Sequence, residues 1–189
     1  MSSPFKITFK ITNVPPAKLA RAVERIRHHL DRLHQRLTPA PAAMMEMIIA
    51  TWTSQAITVA AQLGVADALA GGPLPIEELA ARVGADADAL CRLLRALIGK
   101  GIFRRRRDGR YELNSLAGTL RSDAPISMTW AAQFYGSAEQ RERWTLMVDA
   151  IRSGNTVVPA LRGKESFDYF AGEPELTGLF NQTMTSVSE

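Results

Sequence analysis

A chain of 189 residues, 46% of them hydrophobic and 22% charged, is long enough to bury one substantial core and too apolar to stay disordered. Its net charge of +4 is too mild to imply a polyanion partner by itself, and no apolar run approaches the ~20 residues of a membrane span. The single cysteine, Cys91, excludes an internal disulfide, and the N-terminus lacks a signal-peptide core, so a cytoplasmic protein with a buried, inert thiol is expected.

Phe5, Ile7, Phe9 and Ile11 alternate with Lys6, Thr8, Lys10 and Thr12, the period-two pattern of a strand. A lone strand needs a partner, so this one either pairs across a dimer or forms a poorly ordered leader. Asn13-Val14-Pro15-Pro16 stops it, and Pro16 suits the first turn of a helix. From Ala17 to Leu37 the apolar residues Leu19, Val23, Ile26, Leu30, Leu33 and Leu37 recur at alternating steps of four and three, a coiled-coil seam. Such a seam predicts docking on a partner helix, in the same subunit or a second one. The opposite face carries Arg21, Arg25, Arg32 and Arg36. His28, His29 and His34 lie on the same helix but lack metal-ligand spacing; they read as a solvated basic face, with a metal or pH site as the alternative.

Thr38-Pro39-Ala40-Pro41 reads as a linker that closes a first segment, residues 1–41. Met44 to Leu69 then reads as one long helix with a candidate break at Gly64, burying Ile48, Trp52, Ile57, Ala60, Ala61 and Leu63. Gly71-Gly72-Pro73 is a turn: no strand precedes it and no Lys-Ser/Thr follows, which excludes a phosphate loop. Ile76, Leu79, Ala80 and Val83 give a short helix its inner face, and Gly84 ends it. Asp86 is placed to cap a second helix whose apolar face is Ala89, Leu90, Leu93, Leu94, Leu97 and Ile98. Residues 102–105 and 110–113 form two strands around Asp108-Gly109, a dipeptide favoured in tight hairpins. The fold class is therefore mainly α: a winged helix-turn-helix with a small β-hairpin wing over residues 42–120 and an extra N-terminal helix. Residues 121–189 form a helical segment after it.

Two functions compete for that shape. A DNA-reading helix needs an exposed face of base-reading groups and phosphate contacts around it. The second helix exposes Asp86, Asp88, Arg92, Arg95 and Lys100, and its two N-terminal acids would repel phosphates. Arg104 to Arg107 on the wing argue for DNA, but alternate strand residues point to opposite faces, so at most half reach one phosphate row. The balance leans against DNA.

Leu63-Gly64-Val65-Ala66-Asp67-Ala68-Leu69, Ile76-Glu77-Glu78-Leu79-Ala80, Asp88 to Leu97 with its Leu-Arg-Ala-Leu, Gly101-Ile102-Phe103 and Tyr111-Glu112-Leu113-Asn114 together resemble the N-terminal, winged-helix dimerisation domain of SAM-dependent O-methyltransferases. The family meant is that of the caffeic-acid-type plant enzymes and the bacterial polyketide and phenol methyltransferases. The resemblance extends from about Met44 to the C-terminus. Met128 to Phe134 is similar to the family's pocket-lining helix; Trp144, Leu146, Met147, Ala150, Ile151 and Gly154 match its next motif. Ser166 to Phe170 and Glu175 to Met184 resemble its last helices before the catalytic domain.

By that resemblance the chain is a homodimer whose Met128, Trp130, Phe134, Trp144, Phe180, Asn181 and Met184 wall a small aromatic acceptor, while Trp144 and Phe180 also fit a plain core reading. S-adenosyl-L-methionine (SAM) is the implied cofactor, yet the acidic-Gly-x-Gly turn that would cradle it is not in this sequence, nor is a matching catalytic His. The expectation is a chain that stops before the SAM-binding domain, through cleavage or gene truncation, and does not methylate alone. A winged-helix transcriptional regulator is the alternative, and a regulatory remnant pairing with an intact paralogue is a third reading.

Overall fold

The computed structural model describes residues 17–188, so the strand expected at Phe5 to Ile11 lies outside the described residues. The chain divides into two units, residues 1–52 with 188–189, and Thr53–Val187.

In the first unit, α1 (Ala17–Leu37) is followed after two residues by the beginning of α2 (Ala40–Gln62). Thr38 Oγ1 donates to the His34 carbonyl at 3.1 Å, and the amides of Ala42 and Ala43 donate to Pro39 O at 2.9 and 3.0 Å. The linker is thus Thr38-Pro39 alone. Ala40-Pro41, expected in the linker, already belongs to the helix, because a proline in the first turn forfeits no intrahelical bond. The α1 seam forms as its spacing predicts, and it is uncovered: Leu19, Val23, Ile26, Leu30, Leu33 and Leu37 are between 45% and 77% exposed. Ile48 and Trp52 of α2, expected to be buried, stand 60% and 71% exposed.

The second unit is built on the later half of α2. Ala60 and Ala61 are buried, whereas Ile57 and Leu63 are half-buried. The long helix does break at Gly64, whose φ of 65° is the left-handed conformation a side chain resists. A short α3 (Val65–Ala68) restarts the chain at a new angle, and Asp67 Oδ1 accepts from Ser122 N at 2.8 Å and Ser122 Oγ at 3.1 Å. The Leu-Gly-x-x-Asp motif is therefore a bend plus a tether.

Helices α4 (Ile76–Val83) and α5 (Ala87–Gly99) follow, with Leu79 and Ala80 of one and Leu90, Leu94 and Leu97 of the other buried. Asp86 caps α5 as its position predicts, accepting from Ala89 N at 2.8 Å. Each fully buried leucine contributes roughly 1.5–3 kcal/mol relative to exposure. The wing pairs β1 (Arg104–Arg105) antiparallel with β2 (Tyr111–Glu112), and Leu74 bridges to Tyr111 through bonds of 3.0 and 2.8 Å. Its strands are shorter than expected. Ile102 and Phe103 turn inward instead, 7% and 2% exposed, with Phe103 at a φ of 66°. The connection is also wider than a two-residue turn at Asp108-Gly109, since Arg106 N donates to Arg110 O at 2.8 Å.

After α6 (Ser115–Gly118), six helices complete the unit: α7 (Thr129–Tyr135), α8 (Ala138–Thr145), α9 (Met147–Ser153), α10 (Val158–Arg162), α11 (Ser166–Ala171) and α12 (Pro174–Ser188). Thr58 Oγ1 donates to the Ala132 carbonyl at 2.9 Å and Gln133 Nε2 to the Ala61 carbonyl at 3.3 Å, fastening α7 to α2. Close approach requires Gly136 here, because any Cβ would overlap the Thr58 side chain.

Candidate substrate-enclosing site

Phe134, Phe170 and Leu176 are buried together, with Tyr169, Leu179 and Phe180 packed against them. Ring centroids lie 5.5 Å apart for Phe134–Phe180, 5.6 Å for Phe170–Phe180 and 6.1 Å for Phe134–Phe170. These edge and tilted pairings suit the ring quadrupoles and add to the area the rings bury. The cluster joins α7, α11 and α12, and Thr177 Oγ1 on α12 donates to the Phe170 carbonyl, fixing the turn between the last two helices.

Two arginines edge this aromatic group. Arg143 on α8 lies over the Phe170 ring, 5.2 Å from its centroid, and Arg162 on α10 lies over Tyr169 at 5.1 Å. Arg162 also pairs with Glu142. Burial and, behind it, the positive charge of Arg162 pull the Arg143 guanidinium below its ordinary pKa, while Tyr169 acts in the opposite sense. Arg143 Nη2 is buried with no hydrogen-bond partner among the described residues. An adjoining cleft of about 320 Å³, which shares Arg143 with the cluster, is lined also by Gln140, Trp144, Met147, Ala150 and Val157.

The residues named from sequence thus divide. Phe134 and Phe180 come together, but Phe134 is 3% exposed and acts as backing for the cluster. Trp144, 66% exposed, borders the cleft with Met147. Met128, 38% exposed, precedes α7; Trp130 and Met184 are half-buried and Asn181 is exposed. Sequence reasoning treated Phe170 and Tyr169 only as motif and passed over Arg143 and Arg162. The seven-residue step from Arg162 to Tyr169 was the available signal, weakened by the break between α10 and α11.

The wing arginines are largely engaged with acids. Arg104 pairs with Glu112, Arg110 with Asp108 at 2.8 Å, and Arg106 with Asp108 at 3.6 Å. The hydrogen bonds from Arg110 hold the Asp108 carboxyl below its usual range. A SAM cradle needs a strand running through a glycine turn into a helix. Among the described residues the sheet is a two-stranded antiparallel hairpin, so these residues do not fit that cofactor. No group of three or more His, Cys, Asp or Glu among the described residues is placed to hold a metal, and no described helix is long and apolar enough to cross a membrane.

Comparison with known proteins bears directly on this arrangement. Residues 45–123 match the family described as the O-methyltransferase dimerisation domain. The phenazine O-methyltransferase PhzM of Lysobacter antibioticus is 36% identical over 151 residues, covering 80% of this chain and 44% of that protein. The crystal structure of LaPhzM superposes with a TM-score of 0.74 at 36% identity, over 79% of this chain and 45% of that one. CalO1, a methyltransferase of calicheamicin biosynthesis solved in its SAH-bound form, gives a TM-score of 0.69 at 31% identity, over 79% of this chain and 44% of that one. The chain spans less than half the length of these relatives. Residues 45–123 thus match an O-methyltransferase dimerisation domain, and the chain as a whole is similar to the N-terminal part of bacterial O-methyltransferases.

Proposed function

We propose that this chain is the dimerising and substrate-enclosing part of a SAM-dependent O-methyltransferase acting on a small aromatic hydroxyl compound. The observation that carries the reading is the apolar surface at the start of the matched domain. Met44, Met45, Met47, Ile48 and Trp52 are each more than half exposed, and clustered exposed apolar side chains of this size mark interaction surfaces. A second copy covering it through α2, the winged-helix core and α12 removes that cost. The domain boundaries at residues 41 and 120 separate the added helix, the dimerising core and the acceptor-side helices in this reading.

Met128, Trp130, Trp144, Phe180, Asn181 and Met184 then supply the acceptor-facing walls, with Phe134 behind them. The aromatic class is supported by the cluster of rings and by the phenazine named for a relative. Methyl transfer itself belongs to residues that hold SAM, which the described residues do not fit, so this chain contributes assembly and enclosure.

Light scattering at tens of micromolar, with calorimetric titration of SAM and S-adenosylhomocysteine, tests both halves. The expected result is a mass twice the 20.7 kDa of one chain and no heat of cofactor binding. A monomer sinks the dimer; micromolar cofactor binding sinks the division of labour. Salt-sensitive binding of duplex DNA that is lost on Arg105→Ala/Arg107→Ala replacement would favour the regulator instead.

A further inference from the structure

Among its described residues the first unit presents two exposed apolar stripes. On α1 the stripe is the seam Leu19, Val23, Ile26, Leu30, Leu33 and Leu37, between 45% and 77% exposed. On α2 it is Met45, Ile48 and Trp52, spaced three and four apart and 55%, 60% and 71% exposed. Where the two helices of one chain face each other they use other residues. His34 Nε2 lies 3.7 Å from Glu46 Oε2, and a cleft of about 330 Å³ between them is lined by Asp31, His34, Ala43, Glu46, Met47 and Ala50. The polar flank of α1 is therefore turned to its own α2, and the seam is left over.

We propose that the α1 seam packs against the Met45–Ile48–Trp52 stripe of α2 in a second copy of the chain, so that each protomer clasps the other with its added helix. The inference rests on the dimer proposed above and adds which helices meet. Three observations select this occupant. The first is charge: the heptad positions flanking the seam are Arg27 and His34 on one side and His29 and Arg36 on the other, so that Arg36 stands beside the seam and not on the face opposite it. Arg27 is already paired with Glu24 at 3.0 Å and no acid stands at these flanking positions, so two α1 seams face to face would gain no ion pair across the seam. From Ala40 to Gln62 the sequence has no Lys or Arg, and its one charged residue is Glu46, so the α2 stripe receives the basic flanks without repulsion.

The second observation is continuity. The matched dimerisation domain begins at residue 45, and the two-residue Thr38-Pro39 connection joins α1 directly to the helix that opens it. Because α1 lies before the matched residues, the clasp is an addition to that domain. The third is area: nine large apolar side chains at these exposures leave on the order of 1,000 Å² uncovered per protomer, about what each partner contributes to a standard stable interface.

The test uses the whole chain carrying Cys91→Ser, so that introduced cysteines are the only thiols. Variants with one cysteine at Val23, Leu30 or Leu37 are mixed with variants carrying one at Met45, Ile48 or Trp52, and the mixtures are oxidised under mild conditions. In parallel, Ile26→Asp/Leu30→Asp is compared with the wild type by sedimentation, with circular dichroism verifying that the helices persist. The expected results are disulfides between α1 of one chain and α2 of the other, and a dimer weakened at least 100-fold by the aspartates. Disulfides between two α1 cysteines in preference to mixed ones overturn the pairing. A dimer that neither cross-links through α1 nor weakens overturns the clasp and leaves the dimer standing, whereas a monomeric wild type removes both.

Discussion

At the scale of single residues, the motif Gly101-Ile102-Phe103 … Tyr111-Glu112-Leu113-Asn114 acquires a mechanical meaning. Asn114 Nδ2 donates to the carbonyls of Gly101 at 2.8 Å and Phe103 at 3.2 Å, while its Oδ1 accepts from Ala117 N at 2.8 Å. One side chain thereby holds the left-handed turn at Phe103 and caps α6. Tyr111, 3% exposed, meets the Cys91 thiol at 3.3 Å. Burial, then that hydrogen bond, pushes its phenol above the ordinary value. The folded chain keeps this proton to higher pH than the unfolded chain, whose tyrosine titrates at about 10. Its contribution is intact below about pH 10 and declines as pH rises beyond it. Tyr111→Phe is expected to flatten that alkaline decline, read as urea midpoints from pH 9 upward, while costing about 1 kcal/mol at neutral pH through the lost bond. A variant with the wild-type slope would show that the phenol does not carry the effect.

At the scale of elements, the helices hold through caps and close approaches. Asn114→Ala removes a cap together with the clamp on Phe103, so the expected loss is about 2 kcal/mol, above that of an ordinary cap, measured by chemical denaturation. Gly136→Ala forces α7 away from α2, because the new methyl overlaps Thr58, whose hydroxyl bridges the carbonyls of Ser54 and Ala132. Overpacking of this kind costs about 1–3 kcal/mol, and the thermal midpoint should fall accordingly. An unchanged midpoint would mean that the two helices are not held at this distance in solution. Phe134→Ala tests the aromatic group in the same way, with an expected loss of about 3–5 kcal/mol.

For the whole molecule, the distribution of apolar surface is the dominant fact. The Thr53–Val187 unit closes its own core around Leu69, Leu79, Leu90, Leu94 and Leu97, each 2% exposed or less. The first unit exposes its apolar residues instead. A chain whose folded state is completed by a second copy has a thermal midpoint that climbs with concentration. Scans across a hundredfold range of concentration should show that climb for the wild type and lose most of it for Ile48→Asp/Trp52→Asp. A midpoint independent of concentration would contradict the proposed dimer.

Much of this was legible in the residues themselves. Local spacing and turn chemistry determined the α1 seam, the Asp86 cap, the break at Gly64 and the helix–turn–helix–hairpin order, since each depends on neighbours within a few positions. The family likeness was legible for the same reason, its motifs being these local devices in sequence. Only the tertiary structure decided which apolar residues are covered. Ile48 and Trp52 carry the same periodic signal as Ile57 and Ala60, yet among the described residues the first pair stays exposed while the winged core packs against the second. The same applies to Phe134, Phe170 and Phe180, and to the two arginines beside them. Periodicity marks an apolar face, but whether that face becomes core, pocket wall or interface depends on what distant segments bring against it.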